Sequence, residues 1–185
     1  MIIGITGTLG AGKGTITDYL VEKGFKHFAV SDTYLRGEAL KRGLEPTREA
    51  RHDIANETRA KGPTKLMEAL YAIAKPDIEA GRDVVIEPQH TAAEVSFIRE
   101  QGGIVLSVDA ALETRFERIK KRASAKDHVS FEEFAASQKL EMASADPDKN
   151  NLGAAIAAAD YTLTNDGTLE ALHRQIDDVL EKIKK

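Results

Sequence analysis

The sequence predicts an α/β fold in which helices cover both faces of a parallel sheet. Short apolar runs such as IIGIT and DVVIE alternate with longer segments whose apolar residues recur at helical spacing. Continuous β-branched runs are typical of strands that are buried on both faces. The length of 185 residues is enough for one sizeable core but not comfortably for two. We therefore expect residues 1–185 to form a single three-layer α/β/α domain.

The N-terminal segment has the pattern of a strand, a helix and a second strand. Met1–Thr6 is an apolar run that ends at a glycine turn, which predicts a buried strand. Gly12–Glu22 carries apolar residues at helical spacing, and Gly24 ends this helix. Phe25–Val30 is again mostly apolar and predicts the second strand.

The region from about 33 to 80 is helical and has no strand pattern. Helices are expected at Thr33–Lys41, at Thr47–Arg59 with Thr47 as the N-cap, and at Thr64–Ala80 with a kink near Pro76. The turn RGLEP separates the first two helices. Because this region lies between two core strands, we expect it to be a helical insertion above the sheet.

The C-terminal half alternates strands and helices more regularly. β-Branched runs predict strands at Asp83–Glu87 and Ile104–Val108, and two glycines close the helix between them. A polar, charged region from about 120 to 150 predicts a second insertion. The other elements, predicted from helical spacing and from the turn after the last strand, are the helices Ala92–Gln101, Ala111–Arg122, Phe131–Ser144, Leu152–Ala159 and Thr168–Lys184 and the strand Tyr161–Thr164.

Composition and charge limit the function classes. A net charge of −4 argues against a broad nucleic-acid-binding surface. The absence of cysteine excludes disulfides, thiol nucleophiles and cysteine-based zinc sites. The start MIIGITG lacks the basic segment of a signal peptide, and no apolar run approaches the ~20 residues of a membrane span. We expect a soluble, cytoplasmic protein with no membrane or nucleic-acid partner; the sequence leaves its oligomeric state open.

The stretch GTLGAGKGT, residues 7–15, joins the first strand to the first helix and predicts a phosphate cradle. It nearly fits the phosphate-binding pattern G-x-x-x-x-G-K-[ST]. Gly14 stands where the pattern has Ser or Thr, and the hydroxyl follows one residue later, at Thr15. Glycines let backbone N–H groups converge on phosphate oxygens, the helix N-terminus favours anions, and the lysine adds a mobile positive charge. The expected nucleotide-binding residues are Gly7, Leu9, Gly10, Ala11, Gly12, Lys13, Gly14 and Thr15, with the Thr15 hydroxyl near the metal ion.

The loop ends in Lys-Gly-Thr, so that its hydroxyl comes one residue late. In this it resembles the phosphate loop of adenylate kinase and related nucleoside monophosphate kinases. SDTYLR resembles the segment after their second strand, and ADYTLTNDGTLE resembles the last strand and turn of dephospho-CoA kinases. With EALKRGLEPTRE and RFERIKKR, these matches span nearly the whole chain, which resembles the adenylate kinase and dephospho-CoA kinase branch of P-loop kinases. The resemblance implies ATP with Mg²⁺, an acceptor-binding helical insertion and a mobile lid. It also implies that Asn165 and Gly167 lie beside the adenine.

The arginine-rich region after the second strand is the candidate acceptor site. The resemblance implies that Asp32 and Arg36 face the acceptor, although one extra residue separates the aspartate from the Leu-Arg pair. Asp32 as a helix cap and Arg36 as a solvated side chain also fit. Arg51 and Arg59 share one face of a helix and supply further cations.

The loop after the third strand adds two candidates for the same site. Gln89 and His90 stand where adenylate kinases have an arginine, and we expect them to contact the acceptor. A surface position for His90 is the alternative.

Two further groups complete the predicted site. Arg115, Arg118 and Arg122 lie along one helix face, and because like charges repel, a nearby anion would explain them. We expect them to close over the transferring phosphoryl group, joined by Lys126 and Lys149. Pairing and solvation on the helix surface is the alternative.

Glu87 ends the third predicted strand, which is the clearest one, at the sheet edge where ligands bind. It is the candidate Mg²⁺ ligand.

We predict ATP-dependent phosphoryl transfer to a nucleoside or deoxynucleoside monophosphate, because the arginines of segment 36–59 suit a phosphate. A ribose hydroxyl, as in dephospho-CoA, is the second possibility, with Asp32 accepting its proton. The third is a regulatory ATPase that needs no acceptor, in which Glu87 would position water. The D-x-x-G and N-K-x-D motifs of GTPases are absent from the expected places, and the intact Lys13 argues against a catalytically inactive binder.

Overall fold

A computed structural model describes residues 1–122, 130–142 and 151–184. Within these ranges five strands form one sheet in the order β2-β3-β1-β4-β5, and every neighbouring pair is parallel. The predicted α/β fold with a parallel sheet is thereby confirmed. The strands are β1 Ile2–Gly7, β2 Lys26–Ala29, β3 Val84–Glu87, β4 Ile104–Asp109 and β5 Tyr161–Thr164.

Helices cover both faces of the sheet. A π-helix, Val30–Leu35, joins β2 to the next α-helix. The helix expected at Thr33–Lys41 therefore begins three residues earlier, and its first part is a π-helix instead of an α-helix. The helix expected at Thr64–Ala80 runs without interruption through Pro76. The α-helices are α1 Lys13–Glu22, α2 Arg36–Lys41, α3 Arg48–Arg59, α4 Lys65–Glu79, α5 Ala92–Glu100, α6 Leu112–Arg122, α7 Phe131–Met142, α8 Leu152–Ala158 and α9 Leu169–Ile183.

The side chains of β1 and β3 point alternately into two apolar cores, one on each face. Ile2 and Val84 belong to the core beneath α4 and α5, whereas Ile3 and Val85 belong to the core beneath α1 and α9. All of these side chains are buried, which is why the strands read as continuous apolar runs. The strand ends are thereby fixed relative to one another.

The segment from about 33 to 80 is only partly an insertion above the sheet. Leu66, Met67 and Leu70 of α4 are fully buried in the core on one face, so α4 is a crossover helix between β2 and β3. Helix α3 packs on α2, α4 and the π-helix. Helices α2 and α3 therefore form the part of this segment that stands beside the candidate site.

Helix α7 is the described part of the second predicted insertion. Phe116 of α6 packs against Phe131 and Phe134 of α7, with ring centroids 5.3 and 5.7 Å apart. Lys126 and Lys149 lie outside the described residues.

Among the helices of the described ranges, none has the length and apolarity needed to cross a bilayer.

Candidate phosphate-binding site

The cradle lies at the carboxyl end of β1, at the edge of the sheet where ligands bind in open α/β folds. Gly7, Gly10 and Gly12 have φ angles of 144°, 81° and 111°, which side chains rarely adopt. A Cβ at Gly7 would clash with the Val108 carbonyl oxygen, and one at Gly12 with the Asn165 amide nitrogen. The loop conformation therefore requires glycine at these positions.

Lys13 begins α1 and folds back over the loop. Its Nζ donates to the carbonyl oxygens of Gly7 at 2.6 Å and Thr8 at 3.1 Å. For Gly14, beside it, no atom of the described residues outside its own helix lies within 4 Å of the position a Cβ would take. The arrangement brings one cation and the amino end of a helix to the same place, which favours anions.

The loops after β4 and β5 hold the cradle from the other side. Thr8 Oγ1 donates to Asp109 Oδ1 at 2.6 Å, and Asn165 Nδ2 donates to the Ala11 carbonyl at 2.7 Å. Arg118 Nη2 donates to the Asn165 carbonyl at 2.8 Å. The structure thus brings the turn at Asn165 and the side chain of Arg118 against the cradle.

Arg115 lies beneath the cradle instead of facing open solvent. Its side chain is buried, and it donates to the carbonyls of Ala110 at 3.0 Å and Leu9 at 3.4 Å and to Gln138 Oε1 on α7. These contacts make it a support of the loop, which differs from the predicted arginine closing over a phosphoryl group. Arg122 ends α6, and its side chain lies outside the described part.

A cavity of about 150 Å³ opens directly at the cradle. Its lining is formed by Gly7, Leu9, Lys13, His90, Glu141 and Leu152. Burial, with the nearby charges of Lys13 and Arg59, lowers the pKa of His90 to about 4. The imidazole is therefore neutral at physiological pH and able to donate or accept a hydrogen bond at the cavity wall.

Glu94 lies next to this cavity at the start of α5. It is buried, and burial raises the pKa of its carboxyl group, although the backbone N–H of His90 donates to it at 2.7 Å and Arg59 lies near. Glu94 thereby fixes the backbone that carries His90. The charge of Arg59 contributes to both pKa values, because it favours the neutral form of His90 and the ionised form of Glu94.

A larger groove, of about 820 Å³, lies between the π-helix and α3. Arg51 Nη1 crosses part of it and donates to Ser31 Oγ at 2.9 Å, and lies 3.5 Å from Asp32 Oδ1. The groove holds more cations than anions on a chain that is acidic as a whole. Its lining is formed by Ser31, Leu35, Arg48, Glu49, Arg51, His52, Ala55 and Arg59, and we call it the arginine groove.

Three predicted residues are placed away from these two spaces. Gln89 is fully buried, where its side chain donates to the Ile86 carbonyl at 3.0 Å, and it is in neither lining that the described residues form. Arg36 is exposed on α2 and is not part of the lining that the described residues give the arginine groove. Glu87 pairs with His27 at 3.0 Å, on the β2 side of the sheet edge.

The sequence reasoning missed two acidic residues that adjoin the cradle. Asp109 ends β4 at the same sheet edge, and the acidic end of the run IVLSVD was a signal that could have found it. Glu141 comes from α7, far along the chain, and no local pattern places it at the cavity. Arg48 and His52 join the arginine groove through the helical spacing they share with Arg51 and Arg59.

Comparison with known proteins agrees with this geometry. Residues 3–140 match the family described as AAA domain. A UPF0200 protein of Thermococcus onnurineus is 32% identical over 196 aligned residues, which cover 99% of this chain and 98% of that protein. The match therefore includes the elements on both sides of the cradle.

Solved structures of kinases share the fold. A shikimate kinase from Bacteroides thetaiotaomicron superposes with a TM-score of 0.62 at 15% identity, covering 98% of each chain. A dephospho-CoA kinase from Campylobacter jejuni gives a TM-score of 0.55 at 15% identity, covering 98% of this chain and 96% of that one. At this identity the likeness shows the fold alone, which the chain shares with these two kinases.

Proposed function

The chain belongs to the AAA domain family and to the UPF0200 proteins, and we propose that it transfers a phosphoryl group from ATP to a small phosphate-bearing acceptor. The observation that carries this proposal is the position of Arg59. It lines the arginine groove and also lies close enough to His90, in the cradle cavity, to lower the pKa of that residue. With ATP at the cradle and the acceptor in the arginine groove, the two substrates would be neighbours, which is what phosphoryl transfer needs.

The donor is ATP, with its polyphosphate on the backbone amides of the glycine loop. Lys13 neutralises the β- and γ-phosphates, and Arg118 and Arg122 on α6 add charge as phosphoryl transfer proceeds. The described residues contain no group of three His, Asp or Glu side chains that would hold a metal ion by themselves. The Thr15 hydroxyl would share Mg²⁺ with the phosphate oxygens, and Glu87, which pairs with His27 away from the cradle, would not take part.

The first candidate acceptor is a nucleoside or deoxynucleoside monophosphate. Its phosphate is already anionic near neutral pH, so it needs cations more than a base. Arg51 and Arg59 lie about 12 Å apart along α3, at a rise of 1.5 Å per residue. The acceptor phosphate would lie at the Arg59 end, beside the cradle, and the nucleoside would extend along the groove.

A hydroxyl acceptor, as in dephospho-CoA, is the second candidate. The carboxylate of Asp32 is largely exposed and stands at the edge of the arginine groove, next to Ser31 and Arg51. Such a carboxylate is suited to accepting the proton of a sugar hydroxyl.

A coupled assay of ADP formation tests the proposal. ATP and Mg²⁺ are supplied with AMP, CMP, UMP, GMP, TMP, their deoxy forms or dephospho-CoA. Turnover with one or more monophosphates is expected, and Lys13→Ala should lower it about 100-fold or more while Lys23→Ala, at the other end of α1, leaves it unchanged. Turnover of dephospho-CoA alone favours the second candidate. ADP release that no acceptor accelerates would contradict both and indicate an ATPase.

A further inference from the structure

The cavity at the cradle contains an acidic side chain among residues that are arranged for an anion. Glu141 of α7 shares its lining with Lys13, His90 and the glycine loop. Glu141 therefore borders the space that the proposed function gives to phosphate groups. A carboxylate at the wall of a cavity of only about 150 Å³ would repel a phosphate group that enters it.

The position of Glu141 is fixed by a chain of contacts that starts at the cradle itself. Arg115 donates to the carbonyl of Leu9 in the loop and to Gln138 Oε1 on α7. Gln138 is buried, and its Nε2 donates to Glu141 Oε2 at 3.0 Å. Loop, arginine, glutamine and glutamate thus form one hydrogen-bonded series.

Aromatic packing keeps α7 against its neighbour. Phe134 packs on Phe116 of α6, and the Arg115 guanidinium lies 5.8 Å from the Phe134 ring centroid. Gly153 at the start of α8 closely approaches the carbonyl of Met142, because a Cβ there would clash with that oxygen. Helix α7 is held from two sides, with Glu141 in the wall of the cavity.

We propose that Glu141 is an internal competitor of the nucleotide: its carboxylate sits at the phosphate cradle and must withdraw when polyphosphate binds. This inference rests on the proposed function and adds regulation to the same site. Because Gln138 and Arg115 link Glu141 to the loop, a change at the cradle is passed to α7, and a displacement of α7 changes the affinity of the cradle. Binding of nucleotide and the position of α7 are therefore coupled.

Calorimetric titration with the magnesium complex of the non-hydrolysable ATP analogue AMP-PNP tests the proposal. Glu141→Gln keeps the shape and the partner Gln138 but removes the charge. We expect it to bind the analogue about tenfold more tightly than the wild type, because the repulsion disappears. Glu132→Gln is the matched control, since Glu132 is an exposed glutamate on the same helix, and its affinity should stay within about twofold of the wild type.

An affinity of Glu141→Gln equal to that of the wild type overturns the proposal and leaves the proposed function standing. A weaker affinity also overturns it, because the carboxylate would then assist the metal–nucleotide complex. If the wild type and both variants fail to bind the analogue, the proposed function fails with it. Should Glu141→Gln not fold, Glu141→Asp is the second variant, because it retracts the carboxylate by one methylene. A gain in affinity of up to about tenfold over the wild type supports the proposal. An affinity equal to that of the wild type overturns it.

Discussion

At the level of single residues, the four glycines of the cradle have different tasks. Gly12 has a φ of 111° and leaves no room for a Cβ beside Asn165, so both its backbone and its neighbour require glycine. Gly14 lies inside α1, and in the described part of the chain no atom outside this helix lies within 4 Å of a would-be Cβ. Among the described residues no packing contact therefore requires glycine at position 14, which fits the proposed binding of a phosphate there.

Substitution by alanine should separate these two glycines. Gly12→Ala is expected to lower the free energy of unfolding by about 2 kcal/mol or more, from backbone strain and the clash with Asn165. Gly14→Ala should leave it unchanged or raise it by up to about 1 kcal/mol, because alanine favours the helix. Urea unfolding of both variants measures the difference. Equal losses of stability would show that packing, not a ligand, accounts for Gly14.

His90 makes the stability of the protein depend on pH. Its pKa is about 4 in the folded chain and about 6.5 without the surrounding burial and charges. As the pH falls below 6.5, the unfolded chain takes up the proton first, so stability present at pH 7 is lost toward pH 4. The part lost between pH 7 and 5 is about 2 kcal/mol.

The contribution of His90 is isolated by comparison with His90→Asn. Urea unfolding at pH 7 and pH 5 should show a loss for the wild type that is about 2 kcal/mol larger than the loss for the variant. Glu94 acts in the opposite direction, since its pKa is raised in the folded state, but it is present in both proteins and cancels in the comparison. Parallel losses in the two proteins would mean that His90 is not held neutral.

Residue roles were predictable where a motif fixes the backbone and unpredictable where packing decides. The spacing of Gly7, Gly12 and Lys13 follows from what a phosphate cradle requires, so the sequence identified the loop. Gln89 was expected at the acceptor, but it fills space next to Gly4, whose missing side chain leaves room for its amide oxygen. Such a long-range fit between two strands leaves no local pattern in the sequence.

At the level of elements, α3 is the wall of the arginine groove, and its N-cap sets where that wall begins. Thr47 Oγ1 accepts from the backbone N–H of Ala50 at 3.1 Å, as its sequence pattern predicts. From there Arg48, Arg51 and Arg59 follow at helical offsets and line the same groove. Because one helix carries all three, their spacing is a fixed property of the site.

Arg59→Ala should therefore affect the acceptor more than ATP. Loss of one charge-assisted hydrogen bond is expected to raise the acceptor KM about tenfold to 100-fold, with little change in the KM for ATP. Arg42→Ala is the control, because Arg42 pairs with Glu38 and Glu57 outside the groove. Steady-state kinetics with the acceptor identified by the coupled assay give both constants. Equal changes in the two KM values would contradict the position assigned to the acceptor.

Most elements were predictable because their signals are local, and the exceptions are those that depend on tertiary context. The strands were recognised from continuous apolar runs such as that of β3, since burial on both faces selects such residues. The π-helix at Val30–Leu35 was not, because over a few residues its spacing cannot be told from that of an α-helix. It matters for the site, since it sets where Ser31 and Asp32 meet the arginine groove.

At the level of the whole molecule, the two apolar cores meet in the sheet. The strands β1 and β3 contribute side chains to both cores. Helix α4, which is part of the segment from 33 to 80, packs its buried side chains into the core beneath α4 and α5. Leu35 and Ala55 of the groove belong to one core and Ala11 of the cradle to the other, so both spaces are anchored to the same sheet. We propose that the chain is one domain, in which the acceptor segment cannot unfold without exposing buried residues of α4 such as Met67 and Leu70.

Differential scanning calorimetry should therefore show one cooperative transition, in which the van't Hoff and calorimetric enthalpies agree. The magnesium complex of AMP-PNP at 100 times its Kd should stabilise the protein by about 2.7 kcal/mol. For a chain of this size, that corresponds to a rise in Tm of about 5–10 °C. The whole transition should move, because the cradle and the helices of the groove share the strands of one sheet, and Lys13→Ala should reduce the shift. Two transitions, of which the nucleotide moves one, would show that α2 and α3 unfold separately from the cradle.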